Sequence, residues 1–146
     1  MREEWSFLVT KLLSQFSLKN KRFIDIGCGD GIQCFTAYQL GATYIVGIDN
    51  NLQILHQCQQ YKKYPIIFQY GNLNDNIEEQ FDFIIINLPQ PILDELLWNG
   101  LDKNLNNNSI LLFSYPKGAT LNLEKYRIID CIRGEYYNAY AIKEDK

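Results

Sequence analysis

The sequence predicts a doubly wound α/β domain: a mostly parallel seven-stranded sheet with an antiparallel C-terminal hairpin. Three observations carry this. Apolar runs of strand length alternate with helical patterns through the first five strand units of the 146-residue chain. The first run, Phe23-Ile24-Asp25-Ile26, feeds straight into Gly27-Cys28-Gly29-Asp30-Gly31, with three glycines at alternate positions ahead of a helical pattern. Two β-rich stretches at the C-terminus, Tyr126 to Ile132 and Tyr136 to Ile142, flank Arg133-Gly134-Glu135 as a hairpin flanks its turn.

Trp5, Leu8, Val9, Leu12, Leu13 and Phe16 recur at helical spacing, which predicts an amphipathic helix over 3–16. Ser17 to Asn20 leads into a strand from Arg22 to Ile26. A helix from Ile32 to Leu40 is stopped by Gly41. Tyr44 to Ile48 is the second strand and ends in Asp49. Asn50 or Asn51 caps a helix running to about Tyr61. Residues 65–70 form the third strand, closed by Gly71. Residues 81–87 form the fourth, whose unbroken apolar run suits burial on both faces. Pro91 to Trp98 is a short helix with proline in its first turn. Asn104 to Asn108 is a polar turn before a fifth strand, Ile110 to Ser114. The link from Tyr115 to Lys125 is too short for a full helix. Residues 1–20 are the N-terminal helix and linker, 21–146 the main body, and the whole is one domain.

Composition bounds the function. Apolar residues make up 47% and charged residues 21%, ordinary for a globular protein with one core. A net charge of −3 argues against nucleic-acid binding unaided by a partner. The clusters Lys19-Asn20-Lys21-Arg22 and Lys62-Lys63 read as solvated surface. Cys28, Cys34, Cys58 and Cys131 lack metal-ligand or redox-pair spacing, so reduced, mostly buried thiols in a cytoplasmic protein are expected. His56 is the single histidine, which rules out a multi-histidine metal site; it reads as a helix-flank residue. No apolar run nears the roughly 20 residues of a membrane span, and the N-terminus is too acidic for a signal peptide.

The glycine spacing chooses the cofactor class. A dinucleotide fingerprint requires glycine at position 32, and Ile32 stands there. The pattern Asp25-x-Gly27-x-Gly29-x-Gly31 resembles the first motif of class I S-adenosylmethionine-dependent methyltransferases, whose Rossmann-like fold also has seven strands with the last antiparallel. The resemblance implies S-adenosyl-L-methionine as cofactor. Asp25 would accept hydrogen bonds from its ammonium group, directly or through water. Gly27, Gly29 and Gly31 would let the backbone approach the ligand. Asp49 would take both ribose hydroxyls. In Gly71-Asn72-Leu73, Asn72 would read the adenine amino group and Leu73 would flank the ring; Leu52 could cover the other ring face or belong to the core.

The fourth strand runs into Asn87-Leu88-Pro89-Gln90-Pro91. This partly resembles the Asn-Pro-Pro-Tyr motif of methyltransferases that modify amides and exocyclic amines. It implies a catalytic role for Asn87 and Pro89. The Asn87 side chain and the Leu88 carbonyl would accept the target NH₂ and aim its lone pair at the methyl group. Leu88 and Gln90 depart from the motif, and Gln90 removes its stacking ring; Tyr115 is the candidate replacement. The expected function is methylation of an amide or amine nitrogen in a protein or small molecule. The alternative is a non-catalytic cofactor-binding scaffold, or a subunit of a partner-dependent methyltransferase. A partner subunit could also serve substrate recognition.

Overall fold

The structure, a computed structural model, describes residues 2–72 and 77–145. Its strands are β1 (Arg22–Ile26), β2 (Tyr44–Asp49), β3 (Ile66–Tyr70), β4 (Phe81–Ile86), β5 (Leu105–Pro116), β6 (Tyr126–Arg133) and β7 (Tyr137–Glu144). They form one sheet in the order β3-β2-β1-β4-β5-β7-β6. The pairings from β3 to β5 are parallel, and β7 is antiparallel to both β5 and β6. The strand order reverses between β1 and β4. That reversal opens a crevice at the carboxyl ends of the strands, where ligands bind in sheets of this kind.

The helices are α1 (Arg2–Leu13), α2 (Ile32–Gln39), α3 (Leu52–His56) and α4 (Gln90–Glu95). Period-two alternation in the strands sorts the core into two layers. Ile24, Ile26, Val46, Ile48, Ile84 and Ile86 pack against Leu93 and Leu97 on one side. Phe23, Ile45, Phe83 and Ile85 face the other side. There they meet Leu8, Val9, Leu12 and Leu13 of α1 and Cys34 and Ala37 of α2. Both faces of the central strands are thus covered, as their apolar runs require.

Besides the helix expected from Pro91 to Trp98, which is α-helical only to Glu95 and widens into a π turn over Leu96–Gly100, three elements differ from the sequence expectation. First, the Asn-rich run at 104–108 is not a separate turn, because β5 already begins at Leu105. Phe81 pairs with Leu105 and Phe83 with Ile110, so residues 106–109 bulge opposite Asp82. The polar side chains hold this bulge. Asn106 donates to Asp82 Oδ1 at 2.9 Å, Ser109 donates to the Phe81 carbonyl at 2.6 Å, and Asn104 donates to the Glu79 carbonyl at 2.9 Å. Second, α3 tightens into a 3₁₀ turn over Gln57–Tyr61. This sets Cys58 against the Gly29 carbonyl and stacks Tyr61 on Phe35 with centroids 5.0 Å apart. Third, α1 ends at Leu13, yet Phe16 still reaches the core, edge-on to Phe83 at 5.6 Å.

Candidate functional site

A cleft of about 1250 Å³ opens at the β1/β4 reversal. The glycine turn forms its floor. Gly27 adopts φ +81°, donates its N–H to the Ile48 carbonyl at 2.7 Å, and packs so close to the Asn87 carbonyl that a Cβ would collide with it. Gly29 adopts φ +55°, and a Cβ there would meet nothing within 4 Å. It points into the open cleft, so a side chain would fill ligand space. Gly31 has a different position: it starts α2 against Phe68 and Tyr61, outside the cleft lining.

Asp25 lies in β1 beneath this floor, on the face that carries α1 and α2, and is not itself part of the cleft lining. It is fully buried, and neither carboxyl oxygen has a partner. Burial, then the nearby Asp49 and Asp30 carboxylates, push its pKa up to about 8. A buried acid without a partner is costly unless something cationic shares its surroundings.

Asp49 stands at the tip of β2 and lines the cleft. Its Oδ2 accepts the Gly29 N–H at 3.0 Å and its Oδ1 accepts the Asn51 N–H at 2.9 Å. Asn51 in turn caps α3 by accepting from Gln53 and Ile54. One carboxylate therefore ties the glycine turn to the next helix, and each oxygen keeps a further acceptor site. Asn72 also lines the cleft and accepts from the Asn50 side chain at 3.3 Å. Leu73 lies outside the described residues. Leu52 is neither core nor lining: it is 64% exposed, and Ile54 lines the cleft instead.

Asn87 continues from β4 into the cleft wall. Its backbone N–H donates to the Ile26 carbonyl at 2.8 Å, and its side-chain nitrogen donates to the Gly27 carbonyl at 3.1 Å. One N–H of the amide is held by the turn, which fixes the side chain and leaves its oxygen as the group able to accept. Leu88 lines the cleft with it; Pro89 does not. The Pro89 carbonyl accepts from Ile92 and Leu93 at the start of α4. Tyr115 is not a stacking surface for this cleft. It is 2% exposed, and its hydroxyl accepts from Gln90 at 3.1 Å and donates to Asp94 at 2.8 Å. Gln90 thus replaces an aromatic ring with a strut between α4 and β5.

Sequence reasoning did not single out the residues of one wall. Glu3, Ser6, Phe7 and Thr10 line the cleft at i, i+3, i+4 and i+7 of α1, beside the apolar stripe that meets the sheet. That second stripe was the available signal. Trp5 anchors the helix by donating to the Ser114 carbonyl at 3.3 Å, while Ser114 donates back to the Trp5 carbonyl at 2.9 Å. Gln33 of α2 also lines the cleft and was not singled out. Cys28, Cys34 and Cys58 are buried and free, Cys131 is exposed, and burial pushes all four thiols up. No metal-holding cluster occurs among the described residues.

A crevice at this switch point, built on a glycine turn without the third dinucleotide glycine, belongs to the class I methyltransferase fold. The chain is a member of that S-adenosylmethionine-dependent family: the family model described as a methyltransferase domain matches residues 17–137. Among curated proteins, the ribosomal protein L11 methyltransferase of Thermosipho africanus is 30% identical over 142 residues. That match covers 92% of this chain and 54% of that protein. The chain spans about half the length of the curated relatives it first matches. Among solved structures, the ribosomal protein L11 methylase of Lactobacillus delbrueckii subsp. bulgaricus superimposes with a TM-score of 0.84 at 23% identity, covering 98% of this chain and 80% of that one. An RNA methyltransferase from Salinibacter ruber, solved with S-adenosyl-L-homocysteine, gives a TM-score of 0.73 at 16% identity and covers 94% of this chain and 91% of that one. No helix among the described residues is long and apolar enough to cross a membrane.

Proposed function

We propose that this chain is the catalytic domain of a methyltransferase that modifies a nitrogen of a protein substrate. The single observation that carries the cofactor half is Asp25: a buried, unpartnered carboxyl beneath a glycine-floored cleft. A bound cofactor's ammonium is the charge this acid lacks. Asp49 faces the same cleft from the β2 tip and suits ribose hydroxyls, and Asn72 suits the adenine edge. When bound, S-adenosylmethionine supplies a methyl group on a positively charged sulfur.

The nitrogen half rests on Asn87. Its nitrogen is fixed on Gly27, so its oxygen and the Leu88 carbonyl are the acceptors that orient a target N–H at the cleft. Their work is alignment, worth about 10²-fold in rate when lost. Pro89 serves by starting α4 and fixing the turn after Asn87. The names of the relatives point to a ribosomal protein as acceptor.

The test is a titration with S-adenosylhomocysteine and, separately, NAD. A methyl-transfer assay then offers purified ribosomal proteins and a radiolabelled donor. Binding of S-adenosylhomocysteine but not NAD, with label in a protein amine or amide, is expected. Preference for NAD overturns the cofactor reading; label on oxygen, or none on protein, overturns the acceptor reading. A second reading, a cofactor-binding scaffold without turnover of its own, is favoured by Gln90. Bonded to Tyr115, it does not supply the ring that the amide-methylating motif carries at this position. Tight binding with no turnover on any acceptor would select it.

A further inference from the structure

Gln33 occupies the first turn of α2, directly after the glycine turn, and is only 3% exposed. Its side-chain nitrogen is committed to α1. It donates to Thr10 Oγ1 at 2.8 Å and lies 3.2 Å from the Ser6 carbonyl and 3.4 Å from Ser6 Oγ. Its oxygen, Oε1, is buried and has no partner. The residue lines the cleft, and with its nitrogen spent on α1 the oxygen is the atom of the amide still without a partner.

The unpartnered buried oxygens at this place share one character. They are Asp25 Oδ1 and Oδ2 beneath the floor and Gln33 Oε1 in the wall, and all are acceptors. Asp25 lies on the same face of the sheet as α2, which Cys34 anchors in the layer containing Phe23 and Ile45. A glutamine oxygen is an acceptor with partial negative charge, so it suits N–H donors and disfavours a carboxylate. A primary ammonium brings a positive charge and three N–H donors, the complement of this set. The adenine amino group is a poorer match, because the cleft residues suited to it, Asn72, Asn50 and Ile54, belong to the β2 and β3 end.

We propose that Gln33 Oε1 is a binding group for the cofactor's ammonium, acting with Asp25, and that its bonds to Ser6 and Thr10 make α1 the support for this contact. The proposal rests on the cofactor reading above. It gives α1 a part in holding the amino-acid end of the ligand as well as in walling the cleft.

Two ligands separate this contact from a general effect on the fold. S-adenosylhomocysteine carries the ammonium; 5′-methylthioadenosine keeps adenine, ribose and sulfur but lacks the amino-acid end. Gln33→Met, of similar length without the amide, should weaken S-adenosylhomocysteine about tenfold, the loss of one charge-assisted hydrogen bond. Affinity for 5′-methylthioadenosine should stay within about twofold. Gln33→Glu, which keeps an acceptor, should recover S-adenosylhomocysteine binding relative to Gln33→Met. Equal weakening of both ligands overturns the proposal, since it places Gln33 in α1 docking alone. Unchanged S-adenosylhomocysteine affinity in Gln33→Met also overturns it. If the parent protein binds neither ligand, the cofactor reading itself falls, a pattern distinct from the other two.

Discussion

The Glu4 carboxylate accepts the backbone N–H of Tyr136 at 2.7 Å, joining positions 132 apart in sequence. The same carboxylate takes the N–H of Tyr137 at 2.8 Å and of Glu135 at 3.1 Å. Three donors of the β6–β7 turn thus converge on one side chain of α1, the helix that walls the cleft.

Glu4→Gln should therefore loosen α1. Burial works to raise the Glu4 pKa, but the bonds from Tyr136, Tyr137 and Glu135 outweigh it and hold the carboxyl below its usual range. A depressed acid contributes stability above its unfolded pKa, and that contribution is lost as pH falls through the folded value. Amide protection at α1, corrected for intrinsic exchange, should thus fall in Glu4→Gln near neutral pH, and fall in the parent only under acid conditions. Equal α1 exchange in both proteins at neutral pH would show that the carboxylate is not the anchor.

Asp25 gives the opposite dependence. Its folded pKa of about 8 lies above the ordinary carboxyl value of 3.8. Its contribution to stability is full below the unfolded value and is lost as pH rises through the folded one. Asp25→Asn should gain thermal stability relative to the parent as pH climbs through that window. An ammonium beside the acid pulls its pKa down again, so S-adenosylhomocysteine binding near pH 7 should release about one proton. Calorimetry in buffers of different ionisation enthalpy reads this directly. A binding enthalpy independent of buffer would contradict the assignment.

Asp49→Ala should have two costs. Losing a charged acceptor for ribose hydroxyls should weaken S-adenosylhomocysteine by about 1.5–3 kcal/mol. Releasing the Gly29 and Asn51 N–H groups should lower fold stability by about 1 kcal/mol as well. Urea unfolding without ligand isolates the second cost. A variant destabilised by that amount yet binding as the parent does would leave Asp49 as a brace only.

Asn87→Ala should keep cofactor affinity within a few-fold and lose about 10²-fold in methyl transfer. It also gives up the bond to the Gly27 carbonyl, so stability should fall by about 1 kcal/mol. Turnover must be normalised to folded protein measured by circular dichroism. Rate per folded molecule equal to the parent's would remove Asn87 from the chemistry.

The sheet was legible because its signals are local. The apolar, almost wholly buried runs of β1 and β4, the Asn51 cap and the hairpin around Gly134 are each written within a few residues. Asp25 and Asp49 were legible as acids at strand ends, but not the braces of Asp49, which depend on where Gly29 and Asn51 fall after folding. Gln33 was invisible for the same reason: its partners Ser6 and Thr10 meet it only when α1 and α2 share one face. The bulge at 106–109 hid because asparagines suited to turns also suit a bulge. Tyr115 was misread because strand-tip position says nothing of the hydroxyl's partners.

The insertion of β7 between β5 and β6 has a consequence for how this chain assembles. The first helix rests on strands that come last in sequence: α1 packs with Leu112 of β5 and Ala139 and Ala141 of β7. No local run of residues can therefore build the cleft's α1 wall. Closing so long a loop is slow, and its entropic cost falls due before the contacts that reward it. We expect the two ends of the chain to lock together in a single late step, with α1 amides gaining protection in pulse-labelled refolding only when β7 amides do. Protection of α1 ahead of β7 would refute this. Competence to hold a ligand would then arrive all at once, as a property of the closed circuit between the chain's two ends.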